Sequence, residues 1–310
     1  MKSQRIFGDY LLMLIFPCLM SIWYHGMKAV YVLLISAVTC VLCDFFASII
    51  IYRQYFAADL SALCTGLMIA LMLPADIPLY VPVLACSFAI LVLKIPFGGG
   101  MRVPFVPAAA GFAFVAVCFR DPVFTYSTGR DYMITSSVGS VLQSGGAVRL
   151  NSINFLDLIT GNVYGPMGCG CILIFIGCIV FLLIRRKSAL LSTAGFLGAC
   201  LVFSLVFSRT NGSRFVGAVL EFCSGSLMFA SVFLITDYST LPKHKPNKIV
   251  YGVFCGIICM VMRHLGAFEE PVCFAVLLAN AFTPLLDILT GRVIDFISAP
   301  GKGREVKADE

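Results

Sequence analysis

Long apolar runs, interrupted at short intervals by Lys, Arg, Gly and Pro, fill most of the 310-residue chain. Cut at those breaks, the pattern predicts ten membrane segments, at about 9–24, 29–52, 60–74, 79–96, 105–119, 168–184, 189–207, 216–235, 249–263 and 271–290. A helix needs roughly 20 apolar residues to cross a hydrocarbon core of ~30 Å. The third, fifth and ninth segments are short, and such segments are expected to be broken, tilted or held away from lipid by their neighbours. One long stretch of mixed polarity separates five segments from five. The chain therefore divides into a first transmembrane half (1–119), an extracytoplasmic loop (120–167), a second transmembrane half (168–295) and a charged, mobile cytoplasmic tail (296–310). Within the loop, 153–159 reads as a short interfacial helix.

Composition turns this pattern into a class. Hydrophobic residues make up 60% and charged residues 12%, with a mean hydropathy of +0.97, whereas soluble domains carry about 25% charge. The expectation is an all-α integral membrane protein with no cleavable signal, since the first apolar run never meets a small-residue cleavage site. The net charge of +6 lies at segment ends, which excludes a nucleic-acid surface. With both termini in the cytoplasm, fifteen of the 22 Lys and Arg residues fall inside and seven outside, a positive-inside bias anchored by Arg185, Arg186 and Lys187.

The 14 cysteines lie mostly within apolar runs (Cys18, Cys40, Cys43, Cys64, Cys86, Cys178, Cys200, Cys255 and Cys259), where small soft side chains pack between helices. Cys169-Gly-Cys171 lacks the spacing and the neighbours of a zinc site, so no metal centre is expected. His25, His244 and His264 stand at segment ends, poorly placed to ligate a haem between helices.

An internal repeat is visible when 59–115 is set against 218–282. DLSALCTGLMIALMLP resembles FCSGSLMFASVFLITDYSTLP, and VPVLACSFAILVLK resembles NKIVYGVFCGIICMVMR. Each copy reaches a base (Lys94, Arg263), then glycine (Gly98 to Gly100, Gly266), then PFVPAAAGFAFV or PVCFAVLLANAFTP. Five segments apart, the copies are inverted in the membrane, which places a site at the midplane between them. Lys94 and Arg263 are expected to snorkel to opposite surfaces. Thr236 and Asp237, at the inner end of the eighth segment, and Asn280, within the tenth, are candidates for an ion path or for coupling. A polar group at membrane depth is costly and implies a partner. Against that stand an interface carboxylate at Asp237 beside Lys243 and Lys245, and an interhelical hydrogen bond at Asn280.

The stretches DLSALCTGLMIALMLP, FAILVLKIPFGGG followed by Phe105 to Ala108, LITGN, FLITDYSTLP and GAFEEPVCFAVLLANAFTPLLD resemble the D subunit of the Rnf electron-transport complex and its relative, the B subunit of the sodium-pumping NADH:quinone oxidoreductase. The resemblance implies a prokaryotic cytoplasmic-membrane subunit of a redox-driven Na⁺ or H⁺ pump. It also implies partners among the pump's other membrane and peripheral subunits, and electron transfer between flavin and iron–sulfur centres. In that family an outer-loop Thr in an S-G-A-T motif carries FMN through a phosphoester. Here the corresponding cofactor stretch is Ser144-Gly145-Gly146-Ala147-Val148, and neither Ala147 nor Val148 has a hydroxyl. Val103, Val106 and the run Cys169 to Cys171 replace other polar positions of the family. Covalent flavin is therefore not expected at 147–148, with Ser144, Ser140 or Thr135 left as shifted attachment points. A stand-alone secondary transporter or channel, or a scaffold subunit without flavin, is the competing reading.

Overall fold

The computed structural model describes residues 2–52, 60–99, 103–128, 132–134, 137, 139, 159–161, 165–209, 214–266 and 270–298. Twelve helices are followed here in chain order. In the first half they are α1 (Lys2–His25), α2 (Met27–Ala47, continuing as a π-helix over Ser48–Tyr52), α3 (Leu60–Met72), α4 (Tyr80–Phe88, continuing as a π-helix over Ala89–Lys94), α5 (Pro107–Cys118) and the single turn α6 (Arg120–Val123). The second half holds α7 (Ile172–Arg185), α8 (Lys187–Val206), α9 (Arg214–Cys223), α10 (Leu227–Phe233), α11 (Lys245–Leu265) and α12 (Val272–Ser298). A small antiparallel hairpin, β1 (Tyr126–Thr128) with β2 (Tyr132–Ile134), lies in the outer loop and is an addition to the all-α expectation.

By length and composition α1, α2, α8, α11 and α12 can each cross a membrane; α9 and α10 are long and apolar enough only together, and are bent by 59° at the break between them. Four shorter apolar helices (α3, α4 with its π extension, α5 and α7) account for the remaining expected segments. The protein is an integral membrane protein. Leu19, Trp23, Leu34, Leu173, Ile184 and Val202 present apolar side chains outward, as lipid-facing positions should.

The ninth segment departs from expectation: α11 runs 21 residues, not a short stretch. Pro246 near its start fits the first helical turn, where no N–H partner is required. The helix thereby takes in Lys245 to Lys248, which hydropathy alone had excluded. The interfacial helix expected at 153–159 lies almost wholly outside the described residues, as does the tail beyond residue 298.

Small residues set the helix packing. A Cβ on Gly252 would stand 2.2 Å from the Ser192 carbonyl oxygen, and one on Gly256 2.8 Å from that of Phe196, so α8 and α11 touch backbone to backbone. Gly66 does the same for α3 against α2, 2.7 Å from the Ser36 oxygen. Close approach of this kind drives association where lipid removes any hydrophobic gain. The halves are joined as well: Met167 and Gly168, just before α7, donate their N–H groups to the carbonyls of Leu73 (3.1 Å) and Leu71 (2.9 Å) at the end of α3.

Candidate functional site

The expected repeat has a local counterpart at each of its two basic positions. The π extension of α4 ends at Lys94 and Arg263 lies in the last turn of α11, and each helix is followed by glycine at positive φ (Gly98 and Gly99; Gly266). Neither base snorkels. Lys94 is 2% and Arg263 4% exposed. The reason is a carboxylate from another segment in each case: Asp44 of α2 lies 3.0 Å from Lys94 Nζ, and Glu221 of α9 lies 3.1 Å from Arg263 Nη1. A buried charge stays charged only when paired and hydrogen-bonded.

Beside Lys94 the two halves meet. A small, partly open cavity of about 30 Å³ is lined by Ser61, Thr65 and Lys94 from the first half and by Asp237 and Ser239 from the second, with Tyr10 of α1 also in its wall. Val103 and Val106 supply its apolar wall. Thr236 is buried; its hydroxyl donates to the Val232 carbonyl, and the Tyr10 hydroxyl donates to the Thr236 carbonyl. Asp237 follows the end of the broken span and is half-buried. Its Oδ1 accepts the Ser239 N–H and hydroxyl, both at 3.1 Å. Burial raises the Asp237 carboxyl above its usual range, while the Ser239 bonds and the Arg186 charge pull it back. Arg186 lies over the rings of Tyr10 (5.1 Å) and Tyr238 (5.6 Å), a cation–π arrangement that lets a guanidinium sit beside apolar helices.

Asp237 thus lines the same cavity as Lys94; Thr236 lies behind it, bonded to Tyr10, and Asn280 is apart. Asn280, on α12, accepts a hydrogen bond from the Tyr251 hydroxyl at 2.6 Å and lies outside the cavity lining. That bond joins α11 to α12. Asp287 accepts Asn247 Nδ2 at 2.9 Å and the Lys243 N–H at 3.3 Å, tying α12 to the inner turn. Ser144, Gly145, Gly146 and Ala147 fall outside the described residues. Cys169 is buried and turned toward the Leu71 carbonyl, and among the described residues no three His, Cys, Asp or Glu side chains converge on a metal position.

A second polar cluster gathers around Arg263 at the break between α9 and α10. Glu221 sits between Arg263 and Arg209, the latter 2.5 Å away, and is 4% exposed. Glu270 is 1% exposed and receives the N–H and hydroxyl of Ser226, where the broken span resumes. Glu221 leaves a signal in the sequence: it is the one acid inside the apolar run 216–235.

Similarity to known proteins agrees with this architecture. The profile of the NQR2, RnfD, RnfE family matches residues 1–294. The chain belongs to that family. Among its curated relatives is the D subunit of the ion-translocating oxidoreductase complex of Ectopseudomonas mendocina, 27% identical over 93% of this chain and 90% of the relative. The D subunit of the proton-translocating ferredoxin:NAD(+) oxidoreductase complex of Clostridium ljungdahlii is 25% identical over 87% and 85%. The Na(+)-translocating counterpart of Acetobacterium woodii is 26% identical over 86% and 83%. Family members so similar in sequence are thus named for two different ions.

Proposed function

We propose that this chain is the D-type membrane subunit of a redox-driven complex that moves Na⁺ or H⁺ across a prokaryotic cytoplasmic membrane, and that it works with other membrane and peripheral subunits. Its near full-length match to D subunits carries the reading. The inner cavity supports it, because a polar space bounded by both copies is what an inverted repeat builds around a transported ion. Thr236 and Asp237 form the inner mouth of the path: Asp237 lines the cavity, and the Ser239 bonds and the Arg186 charge offset part of the burial that raises its carboxyl. Asn280 contributes indirectly, by fixing α11 against α12 through Tyr251.

Both termini lie in the cytoplasm, which puts Arg185, Arg186 and Lys187 inside and the 120–167 loop outside. FMN is the cofactor that the family resemblance implies, and the donor chemistry here does not fit covalent attachment at 147–148. A phosphoester needs a side-chain oxygen, and Ala147 and Val148 have none. The chain therefore carries no such flavin there, and electrons pass through partner subunits.

Native purification from the source membrane tests the assignment. Recovery with iron–sulfur and flavin subunits is the expected result; a chain that emerges alone and moves Na⁺ or H⁺ by itself favours the transporter. In the same preparation a dark band under ultraviolet light on a denaturing gel is expected. A fluorescent band, with an FMN-sized mass on a peptide from 121–167, overturns the flavin statement alone.

A further inference from the structure

The break between α9 and α10 contains a carboxylate oxygen with nothing to hold among the described residues. Glu270 Oε2 accepts the Ser226 N–H at 2.9 Å and the Ser226 hydroxyl at 2.5 Å. A hydroxyl this close is typical of a charge-assisted bond to an ionised carboxylate. Glu270 Oε1, by contrast, is buried with no hydrogen-bond partner among the described residues. The terminal nitrogens of Arg263 and the Arg209 guanidinium are engaged elsewhere, while Arg263 Nε is buried with no partner among the described residues. Arg209 donates to Glu221 Oε1 and to the Arg263 carbonyl. Arg263 donates to the Glu221 carbonyl and Oε2 and to the Ser224 hydroxyl and carbonyl. An unsatisfied buried carboxylate oxygen costs several kcal/mol and calls for an explanation.

The Glu270 carboxylate packs directly against the Gly225 backbone. Gly225 has φ +62°, and a Cβ there would stand 1.6 Å from Oε1. Glycine at this position thus serves two requirements at once, the left-handed turn of the break and the close approach of the carboxylate. Unwound backbone between two half-helices is also where transporters place small cations.

We propose that Glu270 Oε1 is a binding atom for an alkali-metal cation at the outer end of the bent span, with water completing the shell. Arg209, Arg263, Glu221 and Glu270 together sum to zero, so an added cation leaves the cluster at +1. The ion is accordingly held weakly and exchanges readily with the outer solution. Cys169, Cys259 and Cys273 are the other titratable groups whose charge would be felt there. The inference concerns the opposite end from the Asp237 cavity, and binding is measurable whether or not the chain assembles with partners, so the two readings fail separately.

The experiment uses the full chain in lipid nanodiscs and measures equilibrium binding of radioactive Na⁺, with displacement by Li⁺ and K⁺. Wild type is expected to bind saturably. Glu270→Gln keeps the shape and removes the charge; Gly225→Ala keeps the charge and crowds the carboxylate. Each is expected to weaken binding by about tenfold or more, whereas Asp121→Asn, which removes an exposed outer carboxylate, leaves it unchanged. Wild-type-like binding by Glu270→Gln overturns the proposal, as does the absence of saturable binding in wild type. An infrared band of a protonated carboxyl that disappears only in Glu270→Gln overturns it too, because the site then holds a proton.

Discussion

Lys94 and Arg263 occupy matching positions, at the end of the π extension of α4 and in the last turn of α11, and their surroundings differ. Lys94 pairs with the carboxylate of Asp44, which is 16% exposed. Arg263 meets a carboxylate, a hydroxyl and two main-chain carbonyls, those of Glu221 and Ser224. Those carbonyls border the break between α9 and α10. The matching span of the first half, α3, is a continuous helix and frees no carbonyls midway. A broken span at membrane depth must have its loosened backbone satisfied by neighbours. A planar guanidinium with five donors can do that, and an ammonium on a flexible stem cannot. The choice of base thus follows from whether the adjacent span is broken.

The largest effect is expected at Arg263. Arg263→Met should destabilise the chain by about 3–5 kcal/mol, the cost of removing one partner from a buried ion pair. Arg263→Lys should lose about half of that, because charge returns without the fork. Denaturant titration of the full chain in detergent reads both. If Arg263→Lys matches wild type, the link between guanidinium and break is wrong.

Packing gives the next comparison. Gly252→Ala places a Cβ 2.2 Å from the Ser192 oxygen, and Gly66→Ala one 2.7 Å from the Ser36 oxygen. Gly252→Ala should cost about 2–3 kcal/mol and Gly66→Ala about 1–2 kcal/mol, within the range for overpacked cores. Equal losses in the same titration would show that the α8–α11 contact is no tighter than α2–α3.

Lys94→Met should cost about 1–2 kcal/mol, less than at Arg263 because Asp44 can rehydrate. A loss as large as that of Arg263→Met would erase the distinction between the two ends.

The smallest effect concerns two acids in matching turns. Asp76 pairs with Lys28 at 2.5 Å, whereas Asp237 is held by Ser239 and raised by burial above its usual 3.8. With the folded value above the unfolded one, the native state binds the proton more readily. Stability is therefore greatest below pH 3.8 and falls as pH rises through the raised folded value. Asp237→Asn should flatten that part of the stability profile, measured as thermal midpoint against pH, and Asp76→Asn should not.

Much of the architecture was legible because hydropathy over a span is a sum of many residues and tolerates local error. The succession of apolar helices, and the place of Lys94 and Arg263 near the ends of two of them, could be read from the chain. The fate of those bases could not, since Asp44 and Glu221 reach them from segments remote in sequence. Tyr10 and Arg186 were missed at the inner cavity for the same reason: nothing near Asp237 in sequence points to α1 or to the end of α7. α11 was underestimated because Lys245 and Lys248 lower the local hydropathy while Pro246 starts the helix. Glu221 was different, since an acid within an apolar run is a signal in itself. The flavin-motif stretch, Ser144 to Ala147, rests on sequence alone.

The bonds from Met167 and Gly168 to the end of α3 also bear on how the chain is made. The Cys169 thiol reaches the Leu71 carbonyl across 98 residues of sequence, and its two preceding neighbours donate to Leu71 and Leu73. When the first half has left the ribosome, those carbonyls have no partner from the second. α3 then waits in the bilayer with its last turn open to whatever water or lipid headgroup can reach it. Its end is closed only when the chain has crossed to the outer face, passed through the long loop and returned. Biogenesis therefore has a late step at the seam, and a chain stalled inside the outer loop would leave an unfinished first half for membrane proteases to recognise.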